Sequence, residues 1–479
     1  MNAPSALGLL HPRGGVDRIL LLGDAIPPGL VPSGATAASS AVDLAIIAPC
    51  LRELQQRDWL GRAARRVAAA LDGNGLAYAV LPRPARPGGS AGLRDEGLVI
   101  QVALAQLPAA EDPRYLVPLE AAPWRYSFGS VIAARPAARR LLWAAERLPL
   151  WDRCLSVALP SVGLLAQRPD GAPPAAWVAE LDRALPQTTT AVVASSWRGP
   201  SGATVLYCFS PGEPEPWGVV KVTPAESDES ELLARLGPGG RDAGARVPRR
   251  LAGGQLRGAS VVAETVVGGR PAAGALARSP ARVREVTAAL TGWLERWNVA
   301  TARRGGGARR LRDDLLGAAD ALGPLLPDWR DYRERLAARC DAVQDAAVPL
   351  VASHNDLTMW NVVLDGRGQL GILDWGEAED HGLPLTDFFY TVVDAVAAGS
   401  GYGSRLRAVQ SAFPPAGGGA AAAAGERLRK TVGVSSPAAE LCFHACWLRH
   451  ARNEARTGDG GAFLEIARWL ARSTMERPG

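Results

Sequence analysis

The spacing of apolar positions changes twice along this chain and divides it into three regions. From residue 1 to about 185, short apolar runs closed by turn residues alternate with helical spacing. "VDRILLLGDA" (16–25) and "VDLAIIAP" (42–49) predict buried strands, "DWLGRAARRVAAAL" (58–71) a helix, and "GLAYAVLP" (75–82) another strand. Strands alternating with helices predict an α/β layer with parallel pairing. The second region, 186–268, is strand-rich. "TTTAVVASSW" (188–197) and "TVLYCFS" (204–210) flank "RGPSG", a hairpin turn; "WGVVKV" (217–222), a helical stretch "DESELLARLG" (228–237) and the strand "SVVAETVV" (260–267) follow. The third region, 269–479, carries apolar residues three and four apart at 283–298, 308–322 and 328–344, which predicts helices. A short β insertion ("PLVAS", "NVVLD", "QLGILD", with a "GRG" turn) interrupts them. Helices resume after Pro384, and the tract "PPAGGGAAAAAG" (414–425) predicts a surface loop before two closing helices.

Composition narrows the class without naming a function. With 479 residues the chain suits two or three domains, at about 100–200 residues each. Apolar residues at 47% and charged residues at 21% fit globular protein rather than disorder. The net charge of +5 is small, and no basic stripe interleaved with aromatics appears, so no nucleic-acid partner is expected. No apolar run approaches about 18 residues and no charged-then-apolar leader opens the chain, so no membrane partner and a cytoplasmic location are expected. Cys442 and Cys446 flank His444 four residues apart, a spacing that reads as a helix burying small thiols rather than a zinc site.

The chemistry concentrates in "SHNDLTMWNVVLDGRGQLGILDWGEAEDHGLPLTDFFY" (353–390). Asp356, Asn361 and Asp374 all fall at strand ends. A turn leaving one strand and entering the next puts Asp356 and Asn361 on one rim, and the "GRG" hairpin folds Asp374 back toward Asn361. A carboxylate and an amide oxygen converging in this way suit Mg²⁺, a hard ion that prefers oxygen ligands. Asp356 is left to accept a proton from an attacking hydroxyl.

This stretch resembles the aminoglycoside phosphotransferase and choline kinase branch of the protein-kinase-like fold. That family carries H-G-D-x-x-x-x-N, then a strand, a turn and D-W/F, then a run ending G-x-P-x-x-D. Here the elements are His354-Asn355-Asp356, Asn361, Asp374-Trp375 and Gly382-Leu383-Pro384 with Asp387, and the departure is Asn355 where the family has Gly. The resemblance covers residues 188–479. It implies an α+β two-lobed fold, with a small β-rich nucleotide-binding lobe at 186–268 and a helical catalytic and substrate lobe at 269–479. It also implies ATP or GTP as phosphoryl donor, Asp356 as catalytic base, Asn361 and Asp374 as Mg²⁺ ligands, and His354 and Asp387 as supports of the loop. Residues 1–185 resemble the later half of a class I methyltransferase. "GDAIPPG" stands where that family has a G-x-G-x-G turn, and the spacing to the next strand is short. The expectation is therefore a degenerate Rossmann-like α/β module without a working cofactor site.

The kinase-like resemblance also demands a lysine on the third strand of the small lobe, held by a glutamate on the next helix. Only two lysines occur, Lys221 and Lys430, and Lys221 stands in the apolar "WGVVKV". Glu229 is the expected partner, with Glu231 as the alternative. By analogy with the fold, "SSWRGPSGAT", with Ser196, is where a phosphate-covering loop would lie, and "AETVVGG", with Thr265, is where adenine would be met. Arginines roughly balance carboxylates after Asp374, which points to a neutral or anionic hydroxylated acceptor: a sugar, nucleoside or natural product. The expected activity is a small-molecule kinase. The alternatives are a non-catalytic kinase-like scaffold or a bifunctional phosphotransferase–methyltransferase. The oligomeric state is left open.

Overall fold

The computed structural model describes residues 6–27, 30–32, 34–56, 58–82, 86–107, 115–128, 159, 161–186, 190–194, 202–223, 227–277, 279–414, 421–458 and 461–473. The chain forms two compact units. The first is Met1–Ser230 with Arg250–Val266, and the second is Glu231–Arg249 with Val267–Gly479. No helix among the described residues is long and apolar enough to cross a membrane.

In the first unit the strands are β1 (Arg18–Leu22), β2 (Thr36–Ala37), β3 (Val42–Ile47), β4 (Leu71–Pro82), β5 (Val99–Leu107), β6 (Tyr115–Pro118), β7 (Ser161–Gln167), β8 (Thr190–Ala194), β9 (Thr204–Phe209), β10 (Gly218–Thr223), β11 (Arg250–Leu256) and β12 (Ala259–Glu264). They make one 12-stranded sheet in the order β11-β12-β10-β9-β8-β6-β5-β7-β4-β3-β1-β2. Where the sequence predicts a parallel Rossmann-like layer, parallel pairing occurs in β2-β1-β3-β4. From β7 onward every pairing is antiparallel. The helix Trp59–Ala70 makes the crossover from β3 to β4, whereas the link from β1 to β3 carries the edge strand β2.

Burial follows the pairing. Leu44, Ile46, Leu76 and Tyr78 enter a core on one face, while Ala45, Ile47, Ala77 and Ala79 enter a second core on the other. Strands covered on both faces need continuous apolar runs, which "VDLAII" and "LAYAVLP" supply. In β10 only alternate residues are buried: Val220 and Val222 join the first core and leave Lys221 on the opposite face.

The second unit is helical, with Pro280–Thr301, Gly307–Leu322, Trp329–Ala342, Thr386–Gly399 and Ser436–Thr457 as its longer elements. Ser279 caps the first of these by accepting from the Arg282 N–H, and Pro280 fits the first turn, where no donor is lost. Five short strands interrupt the helices: β13 (Arg270–Pro271), β14 (Val351–Ser353), β15 (Val362–Leu364), β16 (Leu370–Ile372) and β17 (Glu379–Gly382). They pair as β13-β15-β16 and β14-β17.

Among the differences from the predicted boundaries, two have a packing reason. The helix expected to stop at Gly237 runs Glu229–Asp242, through Pro238. Its glycine-rich end faces a tryptophan cluster: Trp293 Nε1 donates to the Gly240 carbonyl at 3.0 Å. A Cβ on Gly240 would lie 3.0 Å from the Trp375 ring. Close packing thus overrides the local stop signal. The tract at 414–425, expected to be a loop, is helical from Ala422, and residues 415–420 lie outside the described residues. Gly425 lets the Phe388 ring approach to 2.9 Å from where a Cβ would stand, and two helices, Ser436–Thr457 and Ala462–Ser473, follow Ala422–Val432 as expected.

Candidate functional site

Strand β14 delivers the chain into the loop that carries His354, Asn355 and Asp356. Asn355 has φ +64°, the left-handed region that Gly enters freely and Asn tolerates better than most residues. The Asn at this position, where the resembled family has Gly, therefore keeps the turn. Its side chain also has partners: Nδ2 donates to the Glu377 carbonyl and to Glu379 Oε1, both at 2.9 Å. Arg449 Nη1 donates to its Oδ1 at 2.8 Å.

Asp387, in the first turn of Thr386–Gly399, accepts from the backbone N–H of His354 at 2.7 Å and of Asn355 at 2.8 Å. His354 Nε2 donates to the Leu373 carbonyl at 2.9 Å, and its ring meets Trp375 edge-on at 5.0 Å. The loop is thus tied at its start to a helix and at its flank to the hairpin that carries Asp374.

That hairpin fixes the remaining geometry. Val362 pairs with Ile372, and the Leu373 N–H donates to the Asn361 carbonyl at 2.8 Å, so Asp374 follows one residue beyond Asn361's cross-strand neighbour. Asp365 shapes the turn by accepting from Arg367 and Gln369 N–H groups at 2.8 and 2.9 Å. Asn361 Nδ2 donates to the carbonyl and to Oδ2 of Asp356, both at 2.9 Å. Because those partners require the amide nitrogen, Asn361 Oδ1 points elsewhere. That oxygen and the Asp374 carboxylate are hard donors of the kind Mg²⁺ prefers, and are the groups here that could hold it.

Burial, then the neighbouring Asp374 carboxylate, push the Asp356 carboxyl up to about 7, and the Asn361 hydrogen bond works against them. A group titrating there can hold or release a proton near neutrality.

Three groups that support the loop escaped the sequence reading. Asp394, buried in the same helix as Asp387, accepts from the Met359 N–H at 2.6 Å, the Tyr402 hydroxyl at 3.2 Å and Arg405 at 2.7 Å. Arg405 lies over the Tyr402 and Phe463 rings. Trp360, between Asp356 and Asn361, is 42% exposed, and its ring stands near-parallel to Tyr402 at 6.5 Å. An acid two helical turns after Asp387 in the otherwise apolar "TDFFYTVVDAVAAG" is the signal that could have found Asp394, since a buried carboxylate needs partners.

In the first unit, Lys221 Nζ lies 3.0 Å from Glu229 Oε1 and 2.9 Å from Oε2. The lysine side chain is 16% exposed and the glutamate 5%, whereas Glu231, the alternative partner, faces solvent. Thr265 follows the end of β12 and is half-buried. Ser196 lies outside the described residues.

Residues 214–424 match the sequence model of the phosphotransferase enzyme family. The span contains Lys221, Glu229, His354, Asp356, Asn361, Asp374 and Asp387, so the family resemblance read from these residues is shown for it. No curated protein matches the chain. Among solved structures the chain is similar to a mutant aminoglycoside 2'-phosphotransferase-IIIa in complex with GDP. The identity is 14% over 62% of this chain and 96% of that one, with a TM-score of 0.41. It is also similar to APH(4)-Ia, an aminoglycoside phosphotransferase, in a ternary complex with AMP-PNP and hygromycin B. There the identity is 14%, over 62% and 95%, with a TM-score of 0.41. A third is APH(3'')-Id from Streptomyces rimosus, at 18% identity over 51% and 88%, with a TM-score of 0.33.

Proposed function

We propose that the protein is a small-molecule kinase that transfers the γ-phosphoryl group of ATP or GTP to an acceptor hydroxyl. The observation that carries this reading is the part-buried Asp356 carboxylate, held by Asn361 Nδ2 at 2.9 Å and beside the Asp374 carboxylate. In the proposed reaction Asp356 orients the acceptor hydroxyl and takes its proton as the acceptor oxygen bonds to the γ-phosphorus. The bond from phosphorus to the bridging oxygen breaks, and the nucleoside diphosphate leaves. Asn361 and Asp374 would hold Mg²⁺, which when bound offsets phosphate charge. Lys221, kept in place by Glu229, would clamp the α- and β-phosphates as a compact point charge. His354, Asp387 and Asp394 would position the loop without touching substrate. Thr265 and Ser196 are assigned to the nucleotide on sequence grounds alone.

The exposed Trp360 ring and Tyr402 beside it would offer the acceptor an aromatic surface next to the base. Because Arg405 is already neutralised by Asp394, this surface does not demand a charged acceptor.

The test is thermal stabilisation by ATP and GTP with and without Mg²⁺, followed by turnover across a panel of sugars, nucleosides and aminoglycosides. Magnesium-dependent stabilisation and phosphoryl transfer are expected. Failure of both nucleotides to bind in a magnesium-dependent way overturns the reading. Undiminished transfer by Asp356→Asn overturns the assignment of the base.

A further inference from the structure

A second constellation of charge lies in the helical unit, apart from the residues assigned to phosphoryl transfer. Helix Gly307–Leu322 presents Arg310, Asp314 and Ala318 four residues apart. Helix Ser436–Thr457 presents Ala445, Arg449 and Arg452 at spacings of four and three. These two faces, with Leu383 and Thr386, line a cavity of about 90 Å³.

Three guanidinium groups meet there, and two are already neutralised. Arg310 bonds Asp314 at 2.8 Å and Glu379 at 3.0 Å, and Arg449 bonds Glu379 at 2.7 Å. Arg452 makes no ion pair with any described residue, and its Nε–H is buried without a hydrogen-bond partner. A permanently charged side chain with a buried, unused donor calls for an acceptor. An anion can both accept from that donor and pair with the Arg452 charge, which a cation or a neutral group cannot do. The planar fork of arginine matches the oxygens of an oxyanion, and the cavity has room for an ion of that size.

We propose that this cavity is a binding site for a single tetrahedral oxyanion of the phosphate or sulfate type. Arg452 is its principal donor, Arg310 and Arg449 flank it, and the Asp314 carboxylate stays turned to Arg310. The site touches the catalytic loop at one remove, because Arg449 Nη1 also holds Asn355 Oδ1 at 2.8 Å. An anion here would fix the arginine that fixes the left-handed residue before Asp356.

Inorganic phosphate and sulfate, titrated against the full chain without nucleotide, provide the test. The unfolding midpoint is expected to rise saturably, by about 2–5 °C at ten times the half-saturating concentration, beyond the effect of sodium chloride at equal ionic strength. Arg452→Gln should fold with a similar midpoint in chloride and lose the response, and Arg452→Lys should retain part of it. Lys221→Ala separates this site from phosphate bound where nucleotide would sit, and should respond as the wild type does. A response no greater than that to chloride overturns the proposal, as does one kept by Arg452→Gln or abolished by Lys221→Ala.

Discussion

Asn355 combines two demands that a glycine would meet only in part. At φ +64° it needs a residue that tolerates the left-handed region, and its amide joins Glu377, Glu379 and Arg449. Asn355→Gly relieves the backbone but leaves Arg449 and Glu379 short of a partner, so a loss of about 1–3 kcal/mol is expected. Asn355→Leu adds a left-handed cost of about 1–2 kcal/mol to the same loss. Urea unfolding of the two variants should rank Leu below Gly, and the reverse order would show that backbone strain at this residue is negligible. Lys221 tests shape at the same scale. Lys221→Arg keeps the charge but replaces a point cation with a plane in a pair that leaves 5% of Glu229 exposed. The expected outcome is at least a tenfold drop in kcat/KM, about 1.4 kcal/mol, with folding retained. Wild-type turnover in Lys221→Arg would mean that charge alone suffices.

At the scale of elements, one helix holds the loop of Asp356 twice, through Asp387 at its start and Asp394 two turns later. Asp394 is fully buried against Arg405, so Asp394→Leu strands a largely buried guanidinium and a Met359 N–H. A destabilisation of about 3–5 kcal/mol is expected. Asp394→Leu with Arg405→Leu should recover part of it, measured by denaturant unfolding; equal losses in the single and double variants would show that the pair is not coupled. In the neighbouring helix Ser436–Thr457, His444 contributes a pH dependence, and His450, lowered by burial to about 3, adds to it, while the raised Asp356 carboxyl opposes both. Burial lowers His444 to about 4 from an ordinary value near 6.5, and the ring is neutral against the Tyr332 hydroxyl at 2.7 Å. Unfolding restores the ordinary value, so the unfolded chain binds the extra proton. Stability is then complete above pH 6.5 and falls as pH drops toward 4, by about 3 kcal/mol from this group. His11, lowered to about 4, acts in the same window. His444→Phe should flatten the decline measured between pH 6.5 and 4, and an unchanged slope would assign it to other groups.

The same contrast between local and distant contacts governs what the sequence disclosed. Asp356, Asn361 and Asp374 were legible because strand ends and a tight hairpin bring them together within twenty residues of chain. Lys221 was legible because a period of two sets it opposite Val220 and Val222. Asp394, Arg405 and Arg449 were not, because their partners come from turns and helices whose packing no local pattern specifies. Glu229–Asp242 was cut short for a related reason: its glycines read as a stop signal, while the tryptophans that need them lie some fifty residues or more downstream.

For the whole molecule, the least legible feature was the continuity of one sheet across residue 185. Strand order depends on long-range pairing, and nothing in "LDRALPQTTT" announces that the strand after it will pair with β6. Read locally, residues 1–185 form a module that can be detached from the strands carrying Lys221. In the structure β8 lies between β9 and β6, and a single core on one face runs from Leu44 and Ile46 through Leu165 and Leu206 to Val220 and Val261. Removing residues 1–185 would strip β8 of its neighbour, expose its backbone donors and acceptors, and uncover Leu206, Cys208, Val220 and Val222. An unpaired edge beside an apolar face is a template for association between chains. Each large aliphatic side chain returned to water also costs about 1.5–3 kcal/mol. The fragment 186–479 should therefore aggregate, or unfold well below the full chain, even though it retains the entire span that matches the phosphotransferase family. Sedimentation and thermal unfolding of the fragment decide the matter: a monomer with the full chain's midpoint would show that the first 185 residues are dispensable to the fold. Co-expressing residues 1–185 as a separate chain supplies the converse, and rescue of the fragment's solubility would show that contacts with those residues, the β6–β8 pairing among them, make the missing contribution.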